Sequence, residues 1–173
     1  MLDSSQLVSQ IGYDAYVGKA IGFRAEADKV HWAIVEGTKH SPILLGKGIA
    51  TAPVGLSEAA ALSWYANRVR LLIDANKPDA GMVRSVEPLA RSSRKEGPRQ
   101  RLRIEGVLLQ TMDGSGLSAK TGALATITSS LGASAKGFLE SKECRGLDLS
   151  NLHEYTREAV LVAVSALRLG YEG

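Results

Sequence analysis

Three short apolar-rich segments follow one another closely near the start of the chain: Lys19 to Glu26, Val30 to Glu36 and Pro42 to Ala50. Only Asp28-Lys29 and Gly37-Thr38-Lys39, with their immediate neighbours, separate them. Segments of this length, bounded by turn residues, read as strands joined by hairpins. A parallel connection takes a dozen or more residues, so the spacing dictates an antiparallel meander. Any fold for this chain must begin from that sheet.

The remainder is read onto it in order. Ser57 caps a helix over 58–74, with Leu62, Tyr65, Val69, Leu72 and Ile73 at helical spacing. A fourth strand runs from Met82 to Glu87, and a helix follows from about Arg99 to Met112. A Gly/Ser-rich turn over 113–122 leads to a fifth strand at 123–128, and Ser129-Ser130 open a helix that runs to about Lys142. Ser150 caps a final helix to Leu169 with Leu152, Ala159, Val160, Ala163 and Leu167 as its apolar stripe. A short amphipathic helix at about 3–16, carrying Leu7, Val8, Ile11 and Tyr16, is accessory. Neither a repeat nor a dividing linker interrupts the 173 residues, which predicts a single domain over 1–173.

Charge is unevenly placed. The net charge is +3, yet Arg91, Arg94, Lys95, Arg99, Arg101 and Arg103 stand together against Glu96 alone. Unpaired like charges repel, so this stretch predicts an anionic partner, nucleic acid or an acidic protein surface. Cys144 is the only cysteine, which rules out an intrachain disulfide and a cysteine-based zinc site. The start of the chain lacks the pattern of a secretory signal, and no stretch reaches the roughly 20 apolar residues of a membrane span. A cytoplasmic protein without a membrane partner is the expectation, and an oligomer is compatible with it. His31, His40 and His153 lack metal-ligand spacing and read as surface or locally bonded residues, with His153 the one near the acids of the last helix. Asp113-Gly114-Ser115-Gly116 lacks the lysine and spacing of a P-loop and reads as a turn.

Three antiparallel strands, a helix, a strand, a helix, a strand and closing helices resemble the ribonuclease H-like fold in its RuvC-like, Holliday-junction resolvase branch. The local matches are the apolar-Gly-apolar opening Ile21-Gly22-Phe23, the apolar-Glu ending Val86-Glu87, and Glu158-Ala159-Val160 in the last helix. The resemblance implies an α/β fold with a five-stranded mixed sheet, three strands antiparallel and then two parallel, flanked by helices. It also implies that carboxylates at the ends of the first and fourth strands, with acids of the last helix, hold two Mg²⁺ ions about 4 Å apart. Glu87 and Glu158 take two of those positions. Arg24 stands where the family has its first acid, and Tyr155 where a second helical acid is often found.

That departure divides the functional expectation. In the leading reading Arg24 and Glu87 form a structural charged pair, the catalytic set is degenerate, and the chain is a pseudoenzyme without a cofactor. Its contact surface is then the basic loop carrying Arg91, Arg94, Lys95, Arg99, Arg101 and Arg103. In the alternative, Glu26 lies two residues beyond Arg24 on the same strand face. Glu26, Glu87 and Glu158, with Glu154 one helical turn earlier, would then hold Mg²⁺ or Mn²⁺ as a divergent nuclease.

Overall fold

The alternation of the first strand sets the architecture, because both of its faces are apolar but unequal in size. Ala20 and Gly22 face one way, and Ile21, Phe23 and Ala25 the other, so helices must cover the sheet on both sides at different distances. The structure, a computed structural model, describes residues 18–86 and 96–169.

β1 (Gly18–Ala25), β2 (Lys29–Gly37) and β3 (Pro42–Thr51) form the antiparallel meander. Gly37 makes the second turn at φ 109°, in the left-handed region where a side chain would be strained. The pairing of β2 with β3 shifts register between Ile34 and Val35, so Leu45 is skipped in the ladder. α1 (Glu58–Asn76) follows, with the Ser57 hydroxyl accepting from the Ala60 amide at 3.2 Å. It stops at Lys77, which turns left-handed at φ 51° and donates its backbone N–H to the Ile73 carbonyl.

β4 (Ala80–Arg84) adds to β1 in parallel, and β5 (Ser118–Gly122) adds to β4 in parallel across α2 (Glu96–Gly114). The sheet order is β3-β2-β1-β4-β5, the five-stranded mixed sheet expected. α3 (Leu124–Leu131), α4 (Ala135–Ser141) and a small hairpin of β6 (Glu143–Cys144) and β7 (Leu147–Asp148) lead to α5 (Glu154–Ala166). On one face Ile21, Phe23, Ile34 and Val83 pack under Tyr65 and Val69 of α1 and Leu108 and Met112 of α2. On the other, Ala20, Ala33, Val35 and Met82 pack under α3 and α5.

Gly22 decides how near α5 can come. A Cβ there would lie 2.1 Å from the Ala159 carbonyl oxygen and 2.6 Å from the Ala163 nitrogen, so the helix rests directly on the strand backbone. The next helical residue outward is Glu158.

Four expectations are corrected. The segment expected as the fifth strand, 123–128, begins α3, in which Leu124, Ile127 and Leu131 recur at helical spacing. The strand is the polar stretch before it. The helix expected from Ser129 to Lys142 is instead two short helices divided at Gly132, at φ 65°. α5 is capped three residues later than expected, by His153, whose Nδ1 accepts from the Tyr155 amide at 3.2 Å, and it ends at Ala166, short of the expected Leu169. β4 ends at Arg84, three residues short of Glu87. The accessory helix expected at 3–16 lies outside the described residues.

Candidate functional site

The parallel pairing of β1 and β4 places Arg24 directly beside Arg84, while the antiparallel pairing on the other side places His31 beside Arg24. One row across the centre of the sheet therefore reads His31, Arg24, Arg84. Period-2 alternation puts Arg24 on the face of Gly22, beneath α5. Glu158 meets the row from above. The Arg24 Nε donates to Glu158 Oε2 at 3.0 Å, and the Arg84 Nε forms an ion pair with the same oxygen at 2.9 Å. The two guanidiniums are 9% and 8% exposed and the carboxylate 14%, so the triad is largely withdrawn from water. Each arginine also donates to the carbonyl of the residue that follows it, Ala25 and Ser85, which anchors its guanidinium to its own strand end.

Further charges and rings surround the triad. Arg101 of α2 donates from Nε to Glu105 Oε1 at 2.6 Å and from its terminal nitrogen to the Arg84 carbonyl at 3.4 Å. Burial, then the charges of Arg24 and Arg84, lower the Arg101 pKa from its ordinary value, while burial raises that of Glu105. The Tyr155 ring lies over the Arg24 guanidinium at 4.3 Å, a cation–π contact that covers the arginine from the α5 side. His31, buried beneath α5, bonds Thr156 Oγ1 at 2.9 Å and Glu26 Oε2 at 2.7 Å, and stacks on the His153 ring at 4.9 Å. Burial outweighs Glu26 and lowers the His31 pKa from its ordinary value.

A cavity of about 220 Å³ opens onto this arrangement, lined by Arg24, Glu26, Val86, Pro98, Arg101 and Tyr155 among others. It brings the Arg24 and Arg101 side chains, the Glu26 carboxylate and the Tyr155 ring to one mouth.

The sequence-predicted residues fall into three groups. Arg24 and Glu158 are brought together, and Glu26 and Arg101 border the same cavity. Arg103 sits on the outer surface of α2, 3.2 Å from Glu58 and 3.3 Å from Glu96, and Arg99 is exposed at the start of that helix. Glu87, Arg91, Arg94 and Lys95 lie outside the described residues. The described partner of Arg24 is Glu158, where Glu87 was expected. Glu26 does not join Glu158 but binds His31 and lies 3.9 Å from Lys29, and Glu154 is exposed. Arg84 was missed because the strand was expected to run on to Glu87. His31 was missed because its partners, His153, Tyr155 and Thr156, sit on a distant helix.

No family model matches the sequence, and no curated protein matches it. Thermus thermophilus RuvC superposes on the structure with a TM-score of 0.69 at 14% identity, over 85% of this chain and 92% of that one. The fold is the ribonuclease H-like fold of RuvC. T. thermophilus RuvC in complex with Holliday junction substrate superposes with a TM-score of 0.68 at 14% identity, covering 86% and 91% of the two chains. The yeast mitochondrial Holliday junction resolvase Ydc2 superposes at 0.58 and 10% identity, covering 95% and 85%.

On a RuvC-like fold, metal ions are expected where the ends of the two central strands meet the last helix. The described residues there do not fit a divalent cation. Arg24 stands one residue before the end of β1 and Arg84 at the end of β4, and Glu158, the carboxylate of α5 that reaches them, is already held by both. A unit charge about 4 Å from another is worth roughly 4 kcal/mol at an effective dielectric constant of 20, so a divalent ion facing two fixed guanidiniums meets a repulsion several times larger. Among the described residues no group of three or more His, Cys, Asp or Glu could hold a metal ion.

Proposed function

We propose that this RuvC-like domain binds nucleic acid without cutting it, and that fixed guanidinium charge replaces the metal ions of the fold. The observation that carries the reading is Glu158 held by Arg24 and Arg84 at 3.0 and 2.9 Å. A strand-cleaving site of this kind needs cations that polarise a phosphoryl oxygen and activate water. Guanidiniums supply the charge and bidentate donors suited to a phosphate, but they do not lower the pKa of a bound water as a coordinating metal does. Arg24, Arg84 and Arg101 carry three positive charges, which Glu158, Glu105 and the cavity-lining Glu26 balance in number, with the guanidiniums fixed in place. The excess of positive charge lies in the basic stretch from Arg91 to Arg103, which carries six basic residues against Glu96. The structure of T. thermophilus RuvC with a Holliday junction supports nucleic acid as the partner class rather than an acidic protein surface.

The decisive experiment pairs a gel shift with a cleavage assay on a four-way junction and on single-stranded DNA. Binding is expected to fall linearly with log salt, with a slope near −0.9 for each phosphate contacted on a duplex. Combining Arg91→Gln, Arg94→Gln and Lys95→Gln is expected to make that slope shallower. Cleavage in Mg²⁺ or Mn²⁺ that disappears in Glu158→Ala protein would sink the proposal in favour of a nuclease. Absence of any shift at low salt would leave a protein-binding scaffold.

A further inference from the structure

The opposite end of the sheet holds a cavity of about 410 Å³ that shares no lining residue with the arginine site. Lys19, at its edge, precedes Arg24 by five residues on β1, a separation of roughly 16 Å at strand rise. The starts of β1 and β4 form its floor, α3 and the end of α5 its walls, and Lys39 of the β2–β3 turn its rim.

Its charge is one-sided. Lys19, Lys39, Lys120 and Arg168 line it, and Asp79 is the only carboxylate among the lining residues. Neither Lys39 nor Lys120 has a carboxylate within ion-pair distance among the described residues. The Lys39 ammonium instead donates to Ser130, at 2.8 Å to the hydroxyl and 3.4 Å to the carbonyl. Burial and the charge of Lys120 both lower its pKa, the signature of a cation partly out of water beside a like charge.

An independent observation comes from α5. Ser165 lines the cavity at 4% exposure, and its hydroxyl has no hydrogen-bond partner. A helical serine usually bonds the carbonyl one turn back. Here that bond is missing, while the carbonyl of Ser165 itself accepts from the Ser130 hydroxyl at 3.1 Å. A buried hydroxyl without a partner is unfavourable, and a ligand oxygen would relieve that loss.

The geometry points to a binding site for a small phosphate monoester, distinct from the nucleic-acid surface proposed above. Lys39 and Lys120 take the phosphate as point charges from two sides, the geometry in which lysine serves phosphate well. The Ser165 hydroxyl, occluded in the empty protein, donates to it after a side-chain rotation, and Met82 and Leu167 offer an apolar wall to the remainder of the molecule. The volume falls within the roughly 300–1,000 Å³ of small-molecule sites and exceeds what inorganic phosphate fills.

Calorimetric titration of the full-length protein at low ionic strength tests this with AMP, inorganic phosphate and adenosine. AMP is expected to bind saturably, phosphate more weakly and adenosine at least tenfold more weakly than AMP, since adenosine lacks the charge-assisted hydrogen bonds of the phosphate. Lys120→Gln, at an exposed position, is expected to weaken AMP about tenfold or more with an unchanged melting temperature. Ser165→Ala is expected to weaken AMP while stabilising the empty protein. Absence of saturable heat with AMP and phosphate would overturn the inference, as would adenosine binding as tightly as AMP, or AMP binding untouched by Lys120→Gln. A single-stranded oligonucleotide that needs Lys120 where AMP does not bind would reassign the cavity to the nucleic-acid surface.

Discussion

At the scale of single residues, Glu158 holds together charges that would otherwise repel. Removing one partner of a buried ion pair costs about 3–5 kcal/mol, because the remaining charge is left uncompensated. Glu158→Gln strands two guanidiniums, so a loss at or above that range is expected in a urea denaturation midpoint. Arg84→Met removes one of the two positive charges and leaves a one-to-one pair, so it is expected to cost less than Glu158→Gln in the same assay. His31 gives a pH signature. Its folded pKa lies below the ordinary histidine value of about 6.5, so the unfolded chain binds the extra proton first. The stabilisation is present in full above that value and is lost as pH falls from about 6.5 through the folded pKa. Glu26, His153 and Arg24 are the charged groups acting on it. The acid-side decline between neutral pH and pH 5 is expected to flatten in His31→Gln protein, followed by chemical denaturation. Arg24 was legible in the sequence as a departure from an acid, because a motif surrounds it. Arg84 was not, because register alone pairs it with Arg24, and register depends on where two strands end.

At the scale of elements, α5 works because β1 gives it room. A Cβ at position 22 would collide with helix backbone, which cannot move aside as a side-chain tip can. Overpacking of this kind costs about 1–3 kcal/mol and occasionally more. Gly22→Ala is expected at or beyond the upper end, and it would also lift Glu158 from the arginines. A fall in melting temperature that Gly48→Ala does not match, although its Cβ meets Trp32 ring atoms at 2.8 Å, would locate the effect in the helix. The meander and α1 were legible because short connections and a serine cap leave few alternatives. β5 was not. It is an edge strand of Ser118, Ala119, Lys120, Thr121 and Gly122, with little apolar side chain to betray it. The β-branched residues after it mimic a strand while burying Ile127 and Leu131 at helical spacing.

At the scale of the whole molecule, Cys144 offers a reporter of global opening. It is fully buried in the core that α3, α4 and α5 share, and burial pushes its thiol up to about 11. As the sole cysteine, it gives any thiol reagent a single site. Labelling at pH 8 is expected to be negligible in native buffer and to rise with urea in step with loss of helical signal. Rapid native labelling would show that the α3–α5 layer opens by itself. No helix among the described residues is long and apolar enough to cross a membrane. The five-stranded sheet itself followed from the order of elements, which short connections constrain more tightly than any single residue does.

The skipped pairing at Leu45 has one further consequence. β3 is an outer strand with Ile43, Leu45 and Ile49 exposed, the profile of a chain that recruits copies of itself into fibrils. A ladder that loses step between Ile34 and Val35 twists that rim and denies a newcomer a continuous run of hydrogen bonds. The irregularity therefore guards solubility, keeping a sticky border from acting as a template.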